Sequence, residues 1–223
     1  MPKKKLIFLL GYFLLIMCAY NSPVSRFIAS MKINYEKWHD GIGYDLKALK
    51  EANKNERETI ESILIDRNPP DWRDIEALAI LDTPRARQAL LVSVLKSINE
   101  VNMAVLRYAP ELVNDELRTK LIVEALKSAS FYYGLRQALY MVEKHHPEEV
   151  VRELFHGLLE REGGVAVHFA AMLFYIYGKA ETSFDMDKRA FFLKFNTEKL
   201  SDRKLVFQEL CKKINVEYRE YLK

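Results

Sequence analysis

Apolar residues recur at spacings of three and four along most of this chain, as on one face of an amphipathic helix. The clearest stripe contains Trp72, Ile75, Leu78 and Ala79. No stretch alternates apolar and polar residues with a period of two. The pattern therefore predicts an all-α fold without strands.

Short turns that contain proline separate the predicted helices. Pro84, Pro110 and Pro147 lie at intervals of 26 and 37 residues, and each stands between two apolar-striped segments. Proline lacks the backbone donor that the helix interior needs, but it is tolerated in the first turn. The recurring unit is helix, turn, helix, and we predict a right-handed stack of about four or five antiparallel helix pairs over residues 44–214.

Polar residues mark where several of these helices begin. Asn53 followed by Glu56 predicts a capping box, in which each side chain bonds the other residue's backbone N–H. Asp71 and Thr83 are predicted N-caps, the latter directly before Pro84. A last pair of helices is predicted at residues 187–195 and 201–214.

The stripes also predict which side chains are buried. The predicted core contains Trp72, Leu78, Leu90, Leu121, Leu139, Leu154 and Leu173. Two aromatic clusters, residues 131–133 and 169–177, are predicted to be core, and Tyr35 and Trp38 are predicted to pack onto the first helices.

The first thirty residues are predicted to form a segment separate from the folded domain. Three lysines at residues 3–5 precede an uncharged apolar run at residues 6–20, typical of a signal or anchor sequence. Three interpretations stay open: an uncleaved membrane anchor followed by a tether, a cleaved export signal, and translation from Met31 that yields a cytoplasmic protein. In each case we predict that the folded domain spans residues 31–223.

Charge and cysteine content exclude some functions. The 223 residues contain 34 basic and 31 acidic residues, which gives a net charge of +3. This balance argues against a dedicated nucleic-acid binder. The two cysteines, Cys18 and Cys211, predict neither a disulfide framework nor a thiolate metal site.

Residues 71–79 and 81–91 carry a resemblance to a known family. HEAT-like repeats commonly pair a helix that ends in a small-residue run with a second helix of the form Ala-Leu-x-x-Leu, and the two segments together resemble such a repeat. The resemblance is clear over residues 71–159. It implies an α-α superhelix, and HEAT-like proteins are mostly binding scaffolds, although fold alone does not define function.

The sequence contains few candidates for catalysis. His145 and His146 precede Pro147, which separates two helices, so these histidines do not share one helical face as metal ligands. His156 and His168 lie among apolar residues, where a histidine is usually structural. There is no phosphate-binding loop and no nucleophile motif. We therefore predict no catalytic residue, no metal site and no cofactor.

One basic pattern remains as a candidate binding site, which we call the basic ladder. Its members fall near the start of the second helix in successive pairs, and if those helices line the concave side they form one positive surface for an acidic partner. The basic ladder consists of Arg85, Arg87, Arg118, Lys120 and Arg152.

These patterns favour a non-catalytic protein-binding adaptor or scaffold, tethered to a membrane through residues 6–20 if the anchor interpretation holds. Two alternatives remain. One is an immunity-type protein that binds and blocks a toxic effector. The other is an enzyme on a HEAT-like scaffold, either similar to a bilin lyase or dependent on a metal.

Overall fold

A computed structural model describes residues 22–68, 70–96 and 99–221. The apolar run at residues 6–20 lies outside this range. The described residues are helical, with short 3₁₀ turns and no strand among them. The predicted all-α class is confirmed.

The described residues divide after Lys96 into two compact units. The helices of the first unit are α1 (Pro23–Ser30), α2 (Tyr35–His39), α3 (Leu46–Glu51), α4 (Lys54–Ile65), α5 (Trp72–Leu81) and α6 (Pro84–Lys96). Those of the second unit are α7 (Asn99–Tyr108), α8 (Asp115–Ser128), α9 (Leu135–Lys144), α10 (Glu148–Glu160), α11 (Gly164–Ile176), α12 (Arg189–Phe192) and α13 (Leu200–Ile214).

The predicted helix starts in the first unit are confirmed. Asn53 and Glu56 form the capping box, with backbone-to-side-chain hydrogen bonds of 2.9 and 3.1 Å. Asp71 caps α5, and the Thr83 hydroxyl accepts a hydrogen bond of 3.0 Å from the backbone N–H of Ala86 in α6. These caps satisfy N–H groups that have no partner inside the helix.

The core of the first unit begins earlier than the sequence predicts. Helix α1 contacts α3 and α4, and Phe27 in α1 is fully buried with its ring 5.6 Å from that of Tyr44. The predicted boundary at residue 30 is therefore too late, because residues 23–30 are a packed helix and not a tether. The apolar stripe of this short helix is what the sequence analysis missed.

The helices of the second unit follow two contact series. In one series α7 contacts α9, and α9 contacts α11; in the other α8 contacts α10, and α10 contacts α13. Consecutive helices also touch, as in the pairs α7–α8, α8–α9 and α10–α11. Fully buried Leu154, Phe155 and Phe169 lie in α10 and α11, the closest-packed pair.

Most of the predicted core residues are buried. Leu78, Leu90, Leu121, Leu154 and Leu173 are confirmed. Trp72 and Leu139 are only half-buried. Both lie on an apolar stripe, so spacing along the helix does not by itself determine how completely a side chain is covered.

The two aromatic clusters differ. Of the predicted cluster at residues 169–177, residues 169–174 are buried as predicted, whereas residues 175–177 are only half-buried. Residues 131–133 are exposed, so their assignment to the core is wrong, and Tyr35 and Trp38 are exposed as well. Residues 131–133 lie in a turn, and Tyr35 and Trp38 lie in the five-residue helix α2.

The region predicted as a helix at residues 187–195 is broken into three pieces. A 3₁₀ turn at Met186–Lys188 leads into α12, and a second 3₁₀ turn follows at Leu193–Phe195. Phe192 at the end of α12 and Phe195 in the second 3₁₀ turn are both fully buried.

Among the described residues, no helix has the length and apolar character needed to cross a membrane.

Candidate functional site

The structure places each member of the basic ladder in the first two turns of α6, α8 or α10. Several of these charges have a local partner. The Arg85 guanidinium lies 3.8 Å from Glu61 and donates to the Ser62 hydroxyl at 2.9 Å, and that of Arg87 donates to Asp82 at 2.6 Å. Arg152 pairs with Glu148 one turn earlier, whereas Lys120 is exposed.

Arg118 has a structural role as well. Its guanidinium donates to Asp115 at 2.6 Å and to the carbonyl oxygens of Pro110 and Val113 at 2.9 and 3.1 Å. It therefore holds the turn that leads into α8, and its side chain is only 24% exposed. Because Arg85 and Arg87 belong to the first unit and the other three members to the second, the common surface stays a prediction.

A tight turn at residues 130–134 presents three aromatic side chains, and we call it the aromatic turn. Ser130 and Tyr133 exchange backbone hydrogen bonds of 2.9 and 3.0 Å, and Gly134 adopts a positive φ of 75°. Glycine tolerates this left-handed conformation without steric cost. Tyr132 and Tyr133 are 86% and 79% exposed.

Phe131 anchors the aromatic turn to α11. Its ring lies so close to Gly164 that a side chain at that position would overlap it. The ring centroid is 5.9 Å from that of His168, which in turn lies 4.7 Å from the ring of Phe184. The turn is thus seated on an aromatic stack while its two tyrosines face solvent.

Hydrogen bonds from an arginine also hold the backbone segment that leads into the aromatic turn. The Arg161 guanidinium donates to the carbonyl oxygens of Lys127 and Ala129, at the end of α8. Arg203, which is buried, donates to the backbone carbonyl of Arg161. Two arginines therefore fix this backbone, so the tyrosines are presented on a preorganised support.

Basic residues and a tyrosine form a further exposed surface on α7 and α9, which we call the basic face: Arg107, Arg136, Tyr140 and Lys144. Arg136, Tyr140 and Lys144 are spaced four apart and share one side of α9. Arg107 and Lys144 lie over the Tyr140 ring at 5.3 and 5.7 Å from its centroid. Within the described residues, no carboxylate lies within 4.0 Å of these three cations.

A hydrogen-bond network in the first unit is centred on the buried Asp74. The Asp74 carboxylate, fully buried, accepts hydrogen bonds from the Tyr44 hydroxyl at 2.9 Å, the Arg67 Nε at 3.1 Å and the Asp71 N–H at 2.8 Å. Burial raises the pKa of Asp74 and also that of Tyr44. Because the Asp74 carboxylate is fully buried and its oxygens are hydrogen-bonded, we interpret this network as structural.

The histidines and the described cysteine fit structural roles. The His145 ring nitrogen lies 2.8 Å from the Thr119 hydroxyl, and burial lowers the pKa of His145. Burial likewise lowers the pKa of His168. Burial raises the pKa of the Cys211 thiol to about 12, which keeps it protonated and unreactive. Within the described residues, no three His, Cys, Asp or Glu side chains are grouped to hold a metal.

The comparisons with known proteins add no assignment. No protein-family model matches the chain, and no match was found among curated proteins or among solved structures. The candidate site is therefore argued from its own geometry.

The aromatic turn was not predicted from the sequence, because three consecutive aromatic residues were assigned to the core. Gly134, directly after them, was a signal for a turn.

Proposed function

We propose that this chain is a non-catalytic protein-interaction module, built on a HEAT-like helical stack and tethered to a membrane by residues 6–20. The observation that carries the proposal is the aromatic turn. Exposed tyrosines on a rigid support are typical of binding hot spots, since a tyrosine supplies a large contact area at low entropic cost. A monomer gains nothing in its own fold from presenting Tyr132 and Tyr133 to water.

The two contact series of the second unit support the HEAT-like part of the proposal. In a stack of helix pairs, the first helices of successive pairs touch one another, as do the second helices. The series α7–α9–α11 and α8–α10–α13 have this relationship.

The partner proposed for this module has an acidic surface. Arg107, Arg136 and Lys144 on the basic face have no carboxylate nearby within the described residues, so their field is available to a partner. The basic ladder supplies less free charge, because four of its members have local partners. We therefore assign first contact with an acidic partner to the basic face, with the ladder as a predicted addition.

Site-specific photo-crosslinking in the native cell tests the aromatic turn directly. A crosslinking amino acid at Tyr132 should trap a defined protein, whereas the same group at Leu205, an exposed position on α13, should not. With the trapped partner purified, Tyr132→Ala combined with Tyr133→Ala should weaken binding by about 2 kcal/mol or more.

A matched variant controls for loss of fold. Leu205→Ala removes a comparably exposed apolar side chain and should leave both binding and thermal stability unchanged. Equal affinity of the tyrosine variant and the wild type would refute the proposal. If the trapped partner is a toxic enzyme that this chain inhibits, the interaction role narrows to an immunity function.

A further inference from the structure

The first unit exposes five large apolar side chains between residues 28 and 42, which we call the N-terminal apolar patch: Ile28, Ile33, Tyr35, Trp38 and Ile42. Tyr35 and Trp38 are 76% and 65% exposed, and their ring centroids are 6.1 Å apart. The Tyr35 ring also stacks on His39 at 5.7 Å. A soluble monomer seldom concentrates apolar side chains at its surface unless that surface binds something.

The segment that carries the patch is held in place by buried hydrogen bonds. The Arg73 guanidinium, only 5% exposed, donates to the carbonyl oxygens of Ile42 and Lys37 at 2.8 and 3.5 Å. The Lys37 ammonium reaches back to the carbonyl oxygens of Ser30 and Lys32 at 3.3 and 3.2 Å. The aromatic side chains therefore project from a fixed backbone and not from a collapsed loop.

We propose that the N-terminal apolar patch lies in the interfacial layer of a lipid bilayer. This inference rests on the membrane tether proposed above. Pro23, the first residue of α1, follows Tyr20 by three residues, and three residues span at most about 11 Å. A membrane segment at residues 6–20 would thus hold α1 at the bilayer surface, and Lys37 ties the patch to the end of that helix.

The composition of the patch suits this environment. Tryptophan and tyrosine favour the membrane–water interface, where their amphipathic rings lie at the level of the headgroups. Isoleucines around them add apolar area that can enter the boundary of the acyl chains. Around the rings, Lys32 and Lys37 balance Glu36 and Asp40 in charge, so attraction to anionic lipid is not required and a zwitterionic surface suffices.

The two tryptophans of the chain provide the test. The full chain with Trp72→Phe keeps Trp38 as its only tryptophan, and the full chain with Trp38→Phe keeps Trp72. Each is reconstituted with phosphatidylcholine vesicles that carry bromine on their acyl chains, or with unbrominated vesicles. The fraction of protein that sediments with the vesicles measures membrane attachment through the tether. Quenching of tryptophan emission by bromine measures contact of the indole with lipid.

We expect both variants to sediment with the vesicles. Trp38 emission should shift to shorter wavelength and be quenched by brominated lipid, whereas half-buried Trp72 should be quenched less. Sedimentation without a shift or quenching of Trp38 would overturn the patch proposal and leave the tether intact. Failure of the chain to sediment would overturn both. Burial of Trp38 only on addition of a protein partner would assign the patch to a protein interface and refute the lipid assignment.

Discussion

At the scale of single residues, Asp74 connects three parts of the first unit. Its carboxylate closes the capping box at the start of α5, accepts from Tyr44 before α3, and pairs with Arg67 after α4. A buried carboxylate is costly unless its oxygens are hydrogen-bonded. One side chain therefore fixes the relative position of three connections.

Replacing Tyr44 with Phe tests the worth of one of these bonds. The Asp74 carboxylate would keep its other two donors but lose one in a fully buried site, so the free energy of unfolding should fall by about 1 kcal/mol. Urea unfolding followed by circular dichroism measures the change. Tyr35→Phe removes the same hydroxyl from an exposed ring and is the control; an equal loss in both variants would contradict the assigned role.

Residue-scale features differ in how far the sequence determines them. The caps at Asn53, Asp71 and Thr83 could be predicted because donor and acceptor lie within three residues of each other. The exposure of Phe131 or Trp38 could not be predicted from the sequence, because burial depends on whether a distant element covers the side chain. The same reason explains why Leu139, on a good stripe, is only half-buried.

At the scale of elements, α10 and α11 approach closely because α10 carries a glycine at the contact. The Phe169 ring, fully buried, occupies the space where a side chain at Gly157 would lie. Glycine inside a helix is less favourable than alanine by about 1 kcal/mol. The packing of the aromatic ring against bare backbone offsets that cost.

Gly157→Ala should therefore destabilise the protein in spite of alanine's better helix propensity. Overpacking of a core costs about 1–3 kcal/mol, and the Phe169 ring has no exposed side toward which it can move. Thermal unfolding measures the loss. In a Phe169→Leu background the same substitution should cost much less, and an unchanged cost there would show that the ring is not the cause.

The helix α11 also carries His168, whose lowered pKa predicts a pH dependence. An unfolded histidine takes up a proton below about pH 6.5, but the buried ring does so only at a lower pH. Stability should thus be lost as the pH falls through 6.5 towards the folded pKa, by up to about 1.4 kcal/mol per pH unit.

Urea unfolding at a series of pH values, compared between the wild type and His168→Phe, isolates this contribution. Asp74 and Glu153 have raised pKa values through burial, so they give a slope of opposite sign in both proteins and cancel in the difference. His145, with a lowered pKa, cancels likewise. Parallel curves for the two proteins between pH 6.5 and 5 would show that His168 is not involved.

Element boundaries were well determined by sequence where a proline or a cap marks them. Helices α6 and α10 begin at Pro84 and Glu148, as the Pro-containing turns predict. The region around α12 was predicted as one helix because its apolar spacing fits one. Tertiary packing of Phe192 and Phe195 instead favours two 3₁₀ turns around four helical residues.

At the scale of the whole molecule, positive and negative charges nearly balance, but some basic residues have a carboxylate partner and others do not. All four arginines of the basic ladder pair locally. Arg118 also supports a turn, so reversing its charge would affect stability as well as binding. Within the described residues, the cations of the basic face contact the Tyr108 and Tyr140 rings and no carboxylate within 4.0 Å. It is therefore the better surface on which to test electrostatic capture.

Arg136→Glu combined with Lys144→Glu should slow association with the acidic partner about tenfold at low salt and much less at high salt. Stopped-flow binding with the crosslinked and purified partner measures the rate. Lys204→Glu with Lys212→Glu makes the same change in net charge at the same spacing on α13 and is the control. Equal rates for the two double variants would remove the basic face from the interface.

The two contact series of the second unit have a consequence for how it folds. The main helix contacts join helices that are separated by at most two others along the chain, apart from the 3₁₀ turn at Tyr218–Tyr221, which packs on α10. Most of these contacts therefore close short loops, and domains dominated by local contacts fold in microseconds to milliseconds. As the chain emerges from the ribosome, we expect α7, α8 and α9 to pack first, whereas the core around α10 is completed only when α13 and the ring of Tyr221, stacked 4.0 Å from that of Phe155, have followed.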